Sequence, residues 1–264
     1  MSTMTTSQVN KLGDKLRSQT ELDSETLQRL QDFRADYQAP MLKTQALVTE
    51  LLGIDSTARL KTVNTIVEKL KRERTRLSTM QDVGGLRIVV GHWRVDQDQA
   101  VHKLITLFGE ANTEVDDRRV KPSHGYRAVH VIPRVDGYPI EIQVRTPLQD
   151  LWAQTVERLA DRVGRAIRYG AQPADAPAQL LEIFDDLQKL SDLISRLETL
   201  PEEGRAHIAR GRELLSMPDL SPQQRQELED MCSSTERGMT ADLPDMAATM
   251  RHQLRAIVQA LGVE

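Results

Sequence analysis

Hydrophobic residues recur every three to four positions along most of the chain, and this spacing predicts a protein made mainly of helices. The helical pattern covers four parts: 24–53 with an interruption at Pro40, Arg59 to Arg76, 180–197 as far as a break at Pro201, and the segments after Ser221. Ser24 is the expected N-cap of the first part, and Gly53 the residue that ends it. The polar residues before about position 10 show no periodicity and are expected to be frayed.

The middle of the chain has a different pattern. LRIVV (86–90) follows a glycine pair and reads as a buried strand, while 126–132 and 138–146 are rich in β-forming residues around a VDGY turn, which predicts a hairpin. Helical spacing returns in 96–108 and after Pro147. Helices around a mixed sheet, followed by helices alone, predict an α+β fold with an all-helical C-terminal extension. A Pro- and Ala-rich stretch, 171–179, is predicted to be a linker between them.

Composition excludes several classes of protein. No apolar run approaches the length of a membrane span, and the first residues lack the apolar segment of a signal peptide. Cys232 is the only cysteine, so an internal disulfide and a CxxC zinc site are both excluded. The net charge of −4 argues against a polycationic surface. We therefore expect a cytoplasmic protein without membrane contact.

Candidate chemistry is concentrated in the middle of the chain, where five of the nine aromatic residues lie between 93 and 152. Just before it, 59–76 carries seven basic residues against two acidic ones. Lys69 and Arg72 share a helical face in this pattern, and cations held together favour a polyphosphate partner. A solvated charged surface is the alternative explanation.

Further polar residues accompany the predicted strands. Asp82 precedes the glycine pair, and Arg87 is a charge inside an apolar strand, which requires a partner. KPSHGYRAVH (121–130) combines cations with an aromatic residue and fits a stacked base with nearby phosphates, although ordinary loop surface is the alternative. In YPIEIQVRT (138–146), Glu141, Gln143 and Arg145 alternate with apolar residues. Because hard oxygen ligands among cations suit Mg²⁺ and phosphate, Asp82 and Glu141 are candidate Mg²⁺ ligands.

Taken in order, four segments resemble the synthetase domain of the RelA/SpoT family. They are RLKTVNTIVEKLKR, MQDVGGLRIVV, KPSHGYRAVH and EIQVRTPLQDLWAQTVER, and together they run from about Arg59 to Gly164. The resemblance implies a nucleotidyltransferase-like core with a mixed sheet. It divides the chain into a helical segment (1–58), a synthetase core (59–170) and a helical extension (171–264). It also implies transfer of pyrophosphate from ATP to the 3′-hydroxyl of GDP or GTP, which makes (p)ppGpp.

The resemblance also implies a role for each matched residue. Donor binding falls to Arg59 and Arg87, which would stack on adenine, and to Lys61, Lys69 and Arg72, which would hold the ATP phosphates. Asp82 and Glu141 would bind Mg²⁺, and the catalytic set is Asp82, Glu141 and Arg72. Acceptor binding falls to Tyr126, which would stack on the base, and to Lys121, His130, Gln143 and Arg145. Glu157 matches an acidic position on the following helix.

Departures from the family pattern leave the acceptor open. Glu157-Arg158 stands where Glu-His is common, and the glycine loop carries an extra residue, as in toxin-type small synthetases. The alternatives are therefore a toxin-type enzyme that pyrophosphorylates the 3′ end of tRNA or an adenine nucleotide, and a degenerate nucleotide-binding regulatory module. A tRNA acceptor would need a basic surface, for which the candidates are Arg74, Arg76, Arg118, Arg119, Arg158 and Arg162.

Partners follow from the same resemblance. We expect a homo-oligomer, and a toxin-type enzyme would have an antitoxin partner. Residues 171–204 carry eight acids and two bases, so this part of the extension could pack on a basic face, mediate self-association or inhibit the synthetase.

Overall fold

A computed structural model describes residues 4–19, 21–171 and 177–262. The helices of these residues are α1 (Thr6–Ser18), α2 (Ser24–Ala35), α3 (Gln38–Leu52), α4 (Val63–Glu73), α5 (Arg94–Phe108), α6 (Pro147–Val163), α7 (Ala178–Leu215), α8 (Pro222–Arg237) and α9 (Leu243–Gly262). The strands are β1 (Ser56–Leu60), β2 (Gly84–Val89), β3 (Thr113–Asp117), β4 (Val129–Val135) and β5 (Tyr138–Arg145). The predicted α+β fold with a helical C-terminal region is confirmed.

The chain forms two compact units. The first unit contains Met1–Val89, Gln99–Asp117 and Val129–Val144, and the second contains Val90–Asp98, Arg118–Ala128 and Arg145–Glu264. The sheet lies in the first unit, apart from the last residue of β5. The three-part division of the sequence stays a prediction.

The sheet of the first unit is mixed, with the strand order β1-β2-β5-β4-β3. β1 pairs with β2, β3 with β4 and β4 with β5, each antiparallel. Asp136 and Gly137 join β4 to β5 with φ of 53° and 89°, the two positive values that a type I′ hairpin turn requires. The hairpin predicted from VDGY is therefore confirmed.

The two faces of the sheet differ in polarity because side chains alternate along each strand. Leu86 and Ile88 of β2, with Ile140 and Ile142 of β5, are buried, and α3 packs against β1, β2 and β4. The residues between them on β2 and β5 are partly open and include glycine, arginine, glutamate and glutamine. The polar chemistry of these strands therefore shares one face.

The second unit has a helical core in which α6 packs against α7 and α9. Its buried residues are almost all aliphatic, with Trp152 and Phe184 as the aromatic members. Thr146 caps α6 in a capping box with Gln149, and Pro147 occupies the first turn, as its fixed φ favours.

Three predictions about local structure are wrong. Residues 56–60 form an edge strand rather than the start of a helix, and α4 begins only after its N-cap Thr62. α1 starts at Thr6 with a capping box at Thr5, where frayed chain was expected. α7 continues through Pro201, whose burial offsets the lost helical hydrogen bond.

Smaller differences concern the boundaries of elements. Asp23, not Ser24, is the N-cap of α2, and β3 was not predicted because its sequence, TEVDD, is polar. The linker predicted at 171–179 lies largely outside the described residues. Among the helices that the structure describes, none combines the length and the apolar character needed to cross a bilayer.

Gly13 allows α1 to approach the short 3₁₀ turn Leu77–Thr79 in the first unit. A Cβ on residue 13 would lie 2.8 Å from Leu77 Cβ, which is too close for either atom to remain in place. Gly13→Ala gains about 1 kcal/mol of helix propensity, yet overpacking costs about 1–3 kcal/mol. We therefore expect a lower thermal unfolding midpoint by calorimetry.

Lys11→Ala, at an exposed position of the same helix, is the matched control and should not lower the midpoint. A Gly13→Ala protein at least as stable as the wild type would contradict this close packing.

Candidate functional site

The open face of the sheet brings Arg59 and Arg87 together. Arg59 of β1 lies opposite Gly85 of β2, and Arg87 lies opposite Thr57, so the two arginines are diagonal neighbours on one face. Arg59 is exposed and Arg87 is half-buried. Two guanidinium groups at this spacing can flank a planar ring, as the sequence predicted for adenine.

Asp82 lies between two lysines just before β2. Its Oδ2 forms an ion pair with Lys61 Nζ and another with Lys69 Nζ, the latter at 2.8 Å. Burial acts to raise the pKa of Asp82, but the two ammonium groups outweigh it and hold the pKa below its ordinary value. Asp82 is therefore ionised at neutral pH, and Lys61 and Lys69 converge on one point.

Glu141 of β5 is held by two neighbours on the sheet. His130 Nδ1 lies 2.9 Å from Glu141 Oε1, and Gln143 Nε2 donates a 2.8 Å hydrogen bond to Oε2. Burial opposes ionisation, yet these contacts, with the charge of Lys61, lower the pKa of Glu141 to about 2. His130 is only 3% exposed, so here it supports Glu141, and the phosphate contact predicted for it stays a prediction.

The two carboxylates are close enough for the negative charge of Glu141 to act on Asp82. That charge opposes, without reversing, the lowering of the Asp82 pKa by the two lysines. Asp82 Oδ1 is buried and has no hydrogen-bond donor among the described residues. A buried carboxylate oxygen without a donor is the kind of group that a cation satisfies. No cluster of three or more metal-ligating side chains occurs within the described ranges. Two carboxylates suit Mg²⁺, which takes its remaining ligands from water and substrate phosphates.

Gly85 keeps space beside Glu141. A Cβ on residue 85 would lie 3.8 Å from Glu141 Cβ and 3.1 Å from the Glu141 carbonyl oxygen, closer than most real contacts. The glycine pair predicted to open β2 thus also keeps the open face accessible next to a carboxylate.

Arg72 lies on α4, where it is exposed and its Nη2 is 2.9 Å from Glu73 Oε1. Lys69 also approaches Glu73, at 3.8 Å. Since Asp82 and Glu73 both face these bases, an incoming polyphosphate would compete with carboxylates already in place.

The remaining acceptor residues lie in the second unit. His124 and Gly125 form a tight turn with φ of 50° and 83°, closed by a hydrogen bond from Tyr126 N–H to Ser123 O at 3.0 Å. Lys121 is exposed and Tyr126 is half-buried. The β-rich pattern predicted from residue 126 therefore begins with this turn, and β4 starts at Val129.

Arg145 is buried and lies beside Tyr126. Its Nη2 donates to Tyr126 Oη at 3.0 Å, its Cζ is 5.1 Å from the ring centroid, and its Nη1 pairs with Asp150 Oδ1 at 3.0 Å. Burial works against the charged form, but Tyr126 and Asp150 outweigh it and raise the pKa of Arg145. Arg145 therefore orients Tyr126, and the direct acceptor contact that the resemblance implies for it stays a prediction.

Two other residues that the sequence singled out, Arg119 and Glu157, have oppositely charged neighbours. Arg119 is buried and pairs with Asp98 at 2.6 Å, so it is not part of a basic surface for tRNA. Glu157 lies 3.7 Å from Arg168 Nη2.

Glu198 of α7 is a buried acid that no motif indicated. It accepts hydrogen bonds from Thr146 Oγ1 and, at 2.7 Å, from Gln149 Nε2. Burial is the largest influence, and it raises the pKa of Glu198 to about 7. A single acid in a helical repeat carries no sequence signal, since only the fold places it against the N-cap of α6.

Comparison with known proteins supports the sequence resemblance. Residues 58–160 match the family described as the region found in RelA / SpoT proteins. Uncharacterized proteins of Mycobacterium bovis and Mycobacterium tuberculosis are 39% identical to the chain over 141 residues, which is 51% of this chain and 52% of theirs. The chain thus spans about half the length of these relatives. The predicted family of this region is confirmed.

Glu198 makes the stability of the protein depend on pH. Its pKa is about 7 when folded against an ordinary value of 4.5, so between these values the folded state binds the extra proton. Stability from this group is full below pH 4.5 and falls as pH rises, by up to about 1.4 kcal/mol per unit. We expect Glu198→Gln to lose this part of the pH dependence. Between pH 5 and pH 8, the unfolding free energy of the variant should therefore fall less than that of the wild type.

Denaturant unfolding at several pH values measures the effect, with Glu182→Gln, an exposed acid of the same helix, as the control. A difference between Glu198→Gln and wild type that stays constant with pH would show that Glu198 titrates normally.

Proposed function

From the RelA/SpoT-family synthetase domain at residues 58–160, we propose that the protein transfers pyrophosphate from ATP to the 3′-hydroxyl of GDP or GTP. The observation that carries the proposal is the carboxylate of Asp82 held by Lys61 and Lys69, with Glu141 nearby. Transfer of a phosphoryl-type group depends mainly on positioning and on neutralising charge, and this cluster supplies both signs of charge in one place.

Donor binding is assigned to the first unit. Arg59 and Arg87 stack on the adenine, and Lys61, Lys69 and Arg72 hold the phosphates. Because Lys61 and Lys69 already pair with Asp82, a triphosphate would draw the lysines toward itself and release the carboxylate. Asp82 and Glu141 would then hold Mg²⁺, which when bound neutralises charge on the transferring phosphates.

Acceptor binding is assigned to Tyr126, which stacks on the base with its ring oriented by Arg145. Lys121, His130 and Gln143 complete the predicted acceptor set. In the transfer, the 3′-oxygen forms a bond to the β-phosphorus of ATP, the bond between the α- and β-phosphates breaks, and AMP leaves. Asp82 is ionised and accepts a hydrogen bond from the hydroxyl, which orients it, and the proton is released to water as the new bond forms.

Other expectations from the resemblance stay predictions. They are self-association, an antitoxin partner, cytoplasmic location, and an adenine nucleotide or tRNA as the acceptor. A protein that binds nucleotides without transferring pyrophosphate is the non-enzymatic alternative. Incubation with β-labelled ATP and Mg²⁺, separately with GDP, GTP, AMP, ADP and bulk tRNA, identifies the acceptor, and absence of labelled product with every acceptor would refute an enzyme.

Asp82→Asn and Glu141→Gln test the assigned chemistry. Each removes a charge with little change of shape, so we expect transfer to fall at least 100-fold while the circular dichroism spectrum stays that of the wild type. Asp136→Asn is the control, because Asp136 is an exposed partner of Lys43 at the hairpin turn. Normal transfer by both carboxylate variants would refute the metal and catalytic assignment.

Tyr126→Ala tests the acceptor assignment. Loss of a stacking ring worth about 1–3 kcal/mol should raise the KM for the acceptor roughly 10-fold and leave the KM for ATP nearly unchanged. Tyr126→Phe keeps the ring and loses the hydrogen bond from Arg145, so it should retain most acceptor use. Equal weakening of ATP and acceptor by Tyr126→Ala would contradict the stacking role.

A further inference from the structure

The turn formed by residues 123–126 of the second unit, here called the acceptor turn, packs directly against α7. A Cβ on Gly125 would lie 2.7 Å from Trp152 and 3.5 Å from the Cα of Gln188, so only glycine fits between α6 and α7. Trp152 Nε1 in turn donates to the carbonyl of Leu187 on α7. The turn that precedes Tyr126 thus packs against the backbone of α7.

Ser191 of α7 connects two parts of the same turn. Its hydroxyl donates to the carbonyl oxygen of Gly125 and accepts a 3.0 Å hydrogen bond from Arg127 Nε. Ser191 is only 2% exposed, so neither bond is exchanged with water.

Arg127 extends this link to Asp192. Its Nη2 lies 2.6 Å from Asp192 Oδ1, and its Nη1 donates to the carbonyl of Arg119, at the other end of the acceptor segment. The Arg127 side chain is 9% exposed, whereas the Asp192 side chain is 67% exposed. One planar group therefore ties residue 119, residue 127 and α7 together.

Tyr126 lies between these two tethered residues in sequence. Gly125 is held through its carbonyl and Arg127 through its side chain, so the backbone on both sides of Tyr126 is fixed from α7. Arg145 fixes the hydroxyl end of the ring through Tyr126 Oη. A ring restrained at the backbone and at its tip has little freedom left to lose when a base stacks on it.

We infer that Ser191 and Asp192 of α7 are positioning residues for the acceptor, acting through Gly125 and Arg127 on Tyr126. This inference rests on the proposed function and adds to it a specific task for α7. The helical extension would then contribute to the acceptor site. Loss of these contacts with α7 would weaken acceptor binding more than ATP binding.

The first test compares kinetics of full-length variants. Asp192→Ala removes an exposed partner without disturbing the core and should raise the KM for GDP or GTP roughly threefold to tenfold, with the KM for ATP unchanged within about twofold. Ser191→Ala should give an effect at least as large. Asp192→Glu keeps the charge and should restore most of the loss.

The control is Asp186→Ala, which removes an exposed acid from the same helix whose partner is Lys189, on that helix as well. It should leave both KM values unchanged. Acceptor KM values within twofold of wild type in Asp192→Ala and Ser191→Ala would overturn the inference, whereas parallel changes in both KM values would show a general structural role.

A second readout does not depend on activity. Hydrogen exchange of the amides of Tyr126 and Arg127, followed by mass spectrometry, should be faster in Asp192→Ala and Ser191→Ala than in Asp186→Ala and the wild type. Unchanged exchange would overturn the tethering of the turn by α7. If the wild type transfers to none of the acceptors, the proposed function fails, and the exchange rates then decide separately whether α7 holds the turn.

Discussion

The pairing of Asp82 with Lys61 and Lys69 organises the first unit. Lys61 follows β1, Lys69 lies on α4 and Asp82 precedes β2, so one carboxylate oxygen joins three elements. All three side chains are largely withdrawn from water. Solvent and salt therefore screen these ion pairs less than they would screen pairs on the surface. The carboxylate also offsets the repulsion between Lys61 and Lys69, so both ammonium groups can lie close together beside the open face of the sheet.

Each unit contributes a different kind of polar site. In the first, neighbouring groups hold the carboxylates of Asp82 and Glu141 in the ionised state, and Glu141 is the extreme case with a pKa of about 2. In the second, charged side chains serve mainly to restrain other groups, as Arg145 does for Tyr126 and Arg127 does for the turn around Gly125. The proposed division into donor and acceptor binding matches this physical difference.

The sequence predicted the fold wherever local patterning decides it. The apolar run of β2, the alternation along β5, the VDGY turn and the helix after Pro147 follow from short-range rules, and the α+β class followed from their order. Local rules failed where partners distant in sequence decide. β1 forms because β2 offers an edge, and α7 passes through Pro201 because burial offsets the break.

The candidate site was predictable to the extent that motifs carry it. Every assigned residue was named from four segments, but their contacts were not. His130 supports Glu141 and Arg145 restrains Tyr126, and both are buried, which residue type alone does not reveal. Ser191 and Asp192 had no sequence signal, since a serine followed by an aspartate on an acidic helix is indistinguishable from solvated surface.

The ion pair between Arg127 and Asp192 also constrains how the chain can diverge. The two residues are 65 positions apart, yet loss of the acid would remove the charged partner of a buried arginine, and loss of the arginine would remove its hydrogen bonds to Ser191 and to the carbonyl of Arg119. Neither position can drift alone without cost. Substitutions at the two positions should therefore occur together. The helical extension and the segment 121–130 are expected to evolve together, even though only that segment carries a family motif.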